Sequence, residues 1–250
     1  MRSNIKKVYI LASLLILSSC GGGGGGGAVA QAIAAAISSF TSSSSSVLLG
    51  GSVDISWAST NATSCSAPWT TQTGTSGTET VTITTAGSNT FTISCTGEGG
   101  SSSRSQSIEG YRNIAGITLD GYISGASVFV DTDSDYIMDS GETSTTSGSD
   151  GSFTIKYENG ALISLGGQDV DTLTQLDNFQ IIRDLSGYSS DNFMITPVTS
   201  IAHFMPSQNI YNTLGLDSSI DINTADPVAN KGDGAGYDLL YEKGNQLTVL

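Results

Sequence analysis

The segment Asp131-Thr132-Asp133-Ser134-Asp135-Tyr136-Ile137-Met138-Asp139-Ser140-Gly141-Glu142 sets the tightest limit on what this chain can fold into, because it puts carboxylates at positions 1, 3, 5, 9 and 12 of twelve residues. That spacing is the ligand pattern of a calcium loop, and calcium takes about 6 to 8 oxygens at roughly 2.3 to 2.6 Å. Side-chain oxygens are expected from Asp131, Asp133 and Asp135, and a backbone carbonyl from Ile137. Asp139 is expected to bind directly or through water, and Glu142 with both carboxylate oxygens. Position 6, where the chain turns sharply and glycine is usual, is Tyr136; a bulky residue at positive φ costs about 1 to 2 kcal/mol. The competing reading is an acidic solvated turn, against which stand Gly141-Glu142 and the apolar Met138 at position 8. Five carboxylates this close repel one another without a cation, so the segment is expected to order when filled.

The flanks decide what the loop joins. Before it, Tyr122-Ile123-Ser124-Gly125-Ala126-Ser127-Val128-Phe129-Val130 is rich in β-branched and aromatic residues and lacks helical spacing. After it, Asp150-Gly151 is a turn signal and Ser152-Phe153-Thr154-Ile155-Lys156-Tyr157 alternates like a half-buried strand. A loop between strands suits a structural staple better than a sensor that opens a helical groove.

At the N-terminus, Arg2, Lys6 and Lys7 precede an apolar run over 8–17, followed by Leu17-Ser18-Ser19-Cys20. The run is too short for a membrane span, which needs about 20 residues. The segment resembles a bacterial lipoprotein signal peptide, with a plain secretory signal as the alternative. The resemblance implies cleavage after residue 19, acylation (palmitate among the chains) of Cys20, and a cell-envelope location. Gly21 stands where an aspartate would favour inner-membrane retention, so the outer membrane, with exposure at the cell surface, is expected. Residues 20–33 then form the lipidated cysteine and a flexible tether built on the glycine run 21–27. Removing residues 1–19 takes three of the nine basic residues and none of the 23 acidic ones, which leaves a net charge near −17. Such a surface excludes nucleic acid as a partner and favours cations.

Residues 34–110 read as short strands at 52–58, 63–66, 78–84, 89–96 and 103–108, separated by turn residues, the pattern of a β-sandwich. Cys65 and Cys95 are the remaining cysteines once Cys20 is lipidated, and in an oxidising envelope an even pair is expected to form a disulfide. Gly51-Ser52-Val53-Asp54-Ile55-Ser56-Trp57, Asn61-Ala62-Thr63-Ser64-Cys65 and Thr90-Phe91-Thr92-Ile93-Ser94-Cys95 resemble the Ig-like domains of exported bacterial proteins, although Trp57 precedes both cysteines. The resemblance implies a sandwich in an extracellular setting.

Residues 111–165, with Ile117-Thr118-Leu119-Asp120-Gly121-Tyr122 leading to the aspartate loop, are similar to the transthyretin-like or B-repeat-like calcium modules of large bacterial adhesin-type surface proteins. That resemblance implies a second small sandwich stiffened by the ion. Residues 166–250 are expected to be a connector, with Phe179-Gln180-Ile181-Ile182-Arg183 readable as one more strand, followed by helices. Thr196 should cap a helix with Pro197 at its first position, and further helices are expected over 209–216, 224–231 and 237–250. His203, the single histidine, reads as a packed or capping residue. An apolar face that runs to Leu250 suggests that the chain continues.

The expected fold class is therefore mainly β, with two tandem sandwich modules and a partly helical C-terminal segment. No nucleophile and base pair or closed polar cluster is visible, so catalysis in this region is not expected. The functional expectation is a lipid-anchored, calcium-stabilised stalk or adhesin-like surface protein. The alternative is a module that captures a surface glycan or protein ligand, for which Trp69, in the loop Pro68-Trp69-Thr70, is the candidate aromatic platform.

Overall fold

The computed structural model describes residues 31–186 and 192–248. The expected signal peptide, the lipidation site Cys20 and the glycine run lie outside these residues. The fold is mainly β, and its first seven strands are β1 (Ala36–Ser42), β2 (Ser46–Leu48), β3 (Ser52–Thr60), β4 (Ser64–Ser66), β5 (Ser76–Thr82), β6 (Gly87–Gly97) and β7 (Gly100–Tyr111). They form two sheets, ordered β1-β3-β5 and β2-β7-β6-β4. All pairings are antiparallel except β2 with β7. In β3 the period of two turns Val53, Ile55 and Trp57 inward and Ser52 and Asp54 outward. They meet Phe40, Ile83, Ile93 and Ile108 in one sandwich-like core.

Cys65 and Cys95 form the expected disulfide. The cysteines lie directly opposite each other on β4 and β6, with Cα atoms 4.0 Å apart, and both are buried. The bond therefore ties the three-residue strand β4 to its neighbour within one sheet.

Arg112 alone separates β7 from β8 (Asn113–Thr118). The chain continues through β9 (Ile123–Ser124), β10 (Ser127–Asp131), β11 (Ser144–Thr146), β12 (Ser152–Lys156), β13 (Ala161–Leu165), β14 (Gln168–Asp169), β15 (Gln180–Asp184) and β16 (Asn192–Ile195). The sheets are β11-β10-β13-β15, β12-β8-β16 and the pair β14-β9. Ile114, Val128, Val130, Phe153, Ile155, Leu162, Ile181 and Phe193 fill the core between them. Strands β10 and β13 do not alternate, because both of their faces are covered: Phe129, Ala161, Ile163 and Ile182 make a second buried layer on the far side. These sheets do not stop at Leu165, since β15 pairs with β13 and β16 lies parallel to β8. The close approach of β16 requires Gly116, where a Cβ would sit 2.3 Å from the Phe193 carbonyl oxygen.

Thr196 caps α1 (Pro197–Phe204) as expected, in a reciprocal capping box with Thr199. Helix α2 (Ile210–Leu214) is capped by Asn209 and ends on left-handed Gly215. Helix α3 (Ala235–Thr248) follows. Val198, Ile210, Ile222 and Leu240 gather these elements into a third core. The helix expected over 224–231 is instead a series of turns. Asp226 precedes Pro227, which disfavours helical φ/ψ at residue 226, and its carboxylate accepts the amides of Val228 and Ala229 in a local turn. No helix among the described residues is long and apolar enough to cross a membrane.

The Tyr122 hydroxyl donates to Asp226 Oδ2 at 3.1 Å, joining the β region to the turns that lead into α3. Burial, then the negative charge of Asp226 and the hydrogen bond to it, raise the Tyr122 pKa above its ordinary 10.0. The folded state thus favours the neutral phenol. The resulting stability is fully present below pH 10 and is lost as the pH rises through the folded value. A Tyr122→Phe variant should lack this alkaline decline, as followed by urea unfolding between pH 8 and roughly pH 11. Reduction of the disulfide, which closes a separation of 30 residues, should lower unfolding free energy by about 3 to 4 kcal/mol; comparing a Cys65→Ser, Cys95→Ser chain with the oxidised protein by urea unfolding checks this.

Candidate metal centre

The acidic loop is a long hairpin connection from β10 to β11, and the ladder brings its two ends together. Phe129 pairs with Ser144, and the Val130 amide donates to the Thr143 carbonyl at 3.0 Å. Asp131 is the last residue of β10 and is only 1% exposed. Its carboxylate accepts the Ser134 amide at 2.7 Å on Oδ1 and the Tyr136 amide at 3.0 Å on Oδ2. Glu142 closes the loop from the other end, accepting the Thr132 amide at 2.8 Å and the Asp139 amide at 3.1 Å. Asp135 accepts the Ile137 amide at 2.8 Å. Residues 131–142 are thus organised around their own carboxylates.

Carboxylate oxygens of Asp131, Asp133 and Glu142 come within 4.8 Å of one another, and so do those of Asp133, Asp135 and Asp139. Two oxygens on one calcium ion can be at most about 4.6 to 5.2 Å apart, twice the metal–oxygen distance, so either triad fits a shared hard cation. Asp133 belongs to both triads. Partial desolvation, followed by the charges of Asp135, Asp139 and Asp131, outweighs a local hydrogen bond and raises its pKa above the ordinary 3.8. Among the described residues no lysine or arginine forms an ion pair with any of these carboxylates; Lys156 pairs instead with Glu158. The donor set, the crowding and the missing counter-charge all suit a cation.

Five of the six expected ligand residues, Asp131, Asp133, Asp135, Asp139 and Glu142, are therefore brought together, and the Ile137 side chain is largely exposed. Tyr136 has a φ of 64°, the left-handed backbone that position 6 of such a loop needs, and Ser134 has 68°. Sequence reasoning missed what holds Tyr136 there. Its ring packs edge-on to His203, with centroids 5.9 Å apart, and tilts against Phe204 at 5.6 Å. Its carbonyl accepts from Gln180 Nε2 at 2.8 Å. These partners lie 44 or more residues away, so no local pattern could announce them. His203 is a packing residue in the last turn of α1, as read from sequence.

Trp69 lies far from the loop in sequence and is half-buried. Its indole N–H donates to the Thr92 carbonyl at 2.9 Å, and its ring packs on Phe40, Trp57 and Phe91 with centroids 6.1, 5.8 and 5.9 Å away. The Cys65–Cys95 bond belongs to the same core. In comparisons with protein-family models, curated proteins and solved structures, nothing matches this chain.

A tryptophan used this way should behave as a structural residue. Trp69→Ala is expected to lower unfolding free energy by about 2 to 4 kcal/mol, less than a fully buried tryptophan would, as measured by urea denaturation.

Proposed function

We propose that this chain is a lipid-anchored surface protein of the bacterial cell envelope, a structural or adhesin-like stalk whose β region is stiffened by calcium and which carries no catalysis in this region. The observation that carries the reading is the pair of carboxylate triads sharing Asp133 on a loop that both begins and ends in the β10–β11 ladder. Calcium is preferred over other hard cations because the twelve-residue spacing is a calcium pattern. The basic and apolar start ending in Cys20 supports the lipid anchor, and the glycine run supports a head that moves relative to the membrane.

In this reading the chain's own residues do thermodynamic work. Asp131 and Glu142 already hold the two ends of the loop through backbone amides, so the ion meets a partly ordered ligand set. It would supply positive charge that cancels repulsion among five carboxylates, and its binding energy would add to folding energy. Capture of a glycan or protein ligand draws less from the geometry, because Trp69 is engaged in packing.

Thermal unfolding of residues 28–250 should show a higher midpoint in millimolar Ca²⁺ than in EDTA. At 100 times the dissociation constant the gain is about 2.7 kcal/mol. An Asp131→Ala, Glu142→Ala double variant should lose the response; equal midpoints with and without Ca²⁺ in the parent chain would remove calcium from the proposal.

A further inference from the structure

Tyr136 stands in left-handed backbone, with a φ of 64°, where glycine would sit without strain. A strained non-glycine residue persists where its surroundings over-determine it, and such residues concentrate at switches and clamps. Three contacts from outside the loop converge on Tyr136. The ring meets His203 and Phe204 in the last turn of α1, the hydroxyl lies 3.4 Å from His203 Nε2, and the carbonyl accepts from Gln180 on β15. Inside the loop, its amide donates to buried Asp131.

Helix α1 is itself fastened to β15, since Ser200 Oγ accepts the Ile182 amide at 2.8 Å and Thr199 Oγ1 donates to the Ile182 carbonyl at 2.9 Å. Strand β15 pairs with β13, and β13 pairs with β10, from which the loop departs. The contacts close a circuit from β10 through the loop to α1 and back through the sheet. The C-terminal turn of α1 needs such a partner: Phe204 is 58% exposed, and Met205 ends the helix with a single backbone bond to Ile201.

We propose that Tyr136 is a latch, a positioning residue that fastens the acidic loop to the C-terminal turn of α1 so that the two open and close as one unit. The latch goes beyond the calcium reading, because each of its contacts is made between groups of the protein itself. A cation that orders the loop would, by linkage, also order the end of α1.

The experiment is amide hydrogen exchange by NMR on the full chain in EDTA, comparing the parent with Tyr136→Ala and, separately, Phe204→Ala. The reporters are the Ser134 amide, which donates to Asp131, and the Met205 amide, which donates to Ile201. Both variants should speed exchange at both reporters by about three- to tenfold, the range one or two aromatic contacts can supply. Exchange at Val128 and Ile163 in the sheet should stay unchanged and reports any general loss of folding. Faster exchange confined to Ser134 in Tyr136→Ala, or to Met205 in Phe204→Ala, would overturn the latch. Calorimetric titration of the same samples with Ca²⁺ scores the calcium reading separately, so its failure is distinguishable from failure of the latch.

Discussion

Burial of one carboxylate organises the far end of this molecule. Strand β10 runs from Val128, Phe129 and Val130, all fully buried, straight into Asp131, which is almost as inaccessible. A charge taken out of water must find hydrogen bonds, since leaving it unmet costs far more than an apolar side chain can return. Asp131 finds them in the amides of Ser134 and Tyr136, and reaching both forces the chain through left-handed backbone at those residues. The shape of the loop, the crowding of Asp133 against its neighbours and the placement of the Tyr136 ring all descend from that demand.

What surrounds the loop follows from how β10 and β13 are buried. Both faces of each strand are buried, one pointing Val128, Val130 and Leu162 into the main core and the other carrying Phe129, Ala161 and Ile163, with Ile182 of β15 beside them. Strand β15 extends that sheet beside β13, and α1 packs on β15, with Thr199 and Ser200 bonding to the Ile182 backbone. The element that presents His203 and Phe204 to the loop is thus there to cover a sheet. Its contact with Tyr136 is a by-product of packing that the loop can exploit.

The first seven strands show where reading a sequence works well. Val53, Ile55 and Trp57 alternate because one face of β3 meets a core and the other meets water, and the cysteines pair because the antiparallel register of β4 and β6 puts them opposite each other. The crowding in the acidic loop was legible for a related reason, since carboxylates at positions 1, 3, 5, 9 and 12 of twelve residues in a hairpin connection cannot stand far apart. Strands β10 and β13 gave no alternation to read, and β16 joins by a parallel pairing with β8 from 77 positions away, Asn192 opposite Ala115. Trp69 read as a candidate aromatic platform in a loop, yet Phe40, Trp57 and Phe91, from three strands, pack against its ring.

Local patterns by themselves determined the β character, the strands of the first sheets, the disulfide partners, the Thr196 cap and the crowding of carboxylates in the loop. Each is set by residues within a few positions or by periodic contact with a single core, and so leaves a mark in the order of side chains. Tertiary structure alone decided that β16 pairs in parallel with β8, that Trp69 packs inward, and that Tyr136 rests on α1. Those outcomes depend on surfaces assembled from distant parts of the chain, whose free energy is gained only when both partners are already in place.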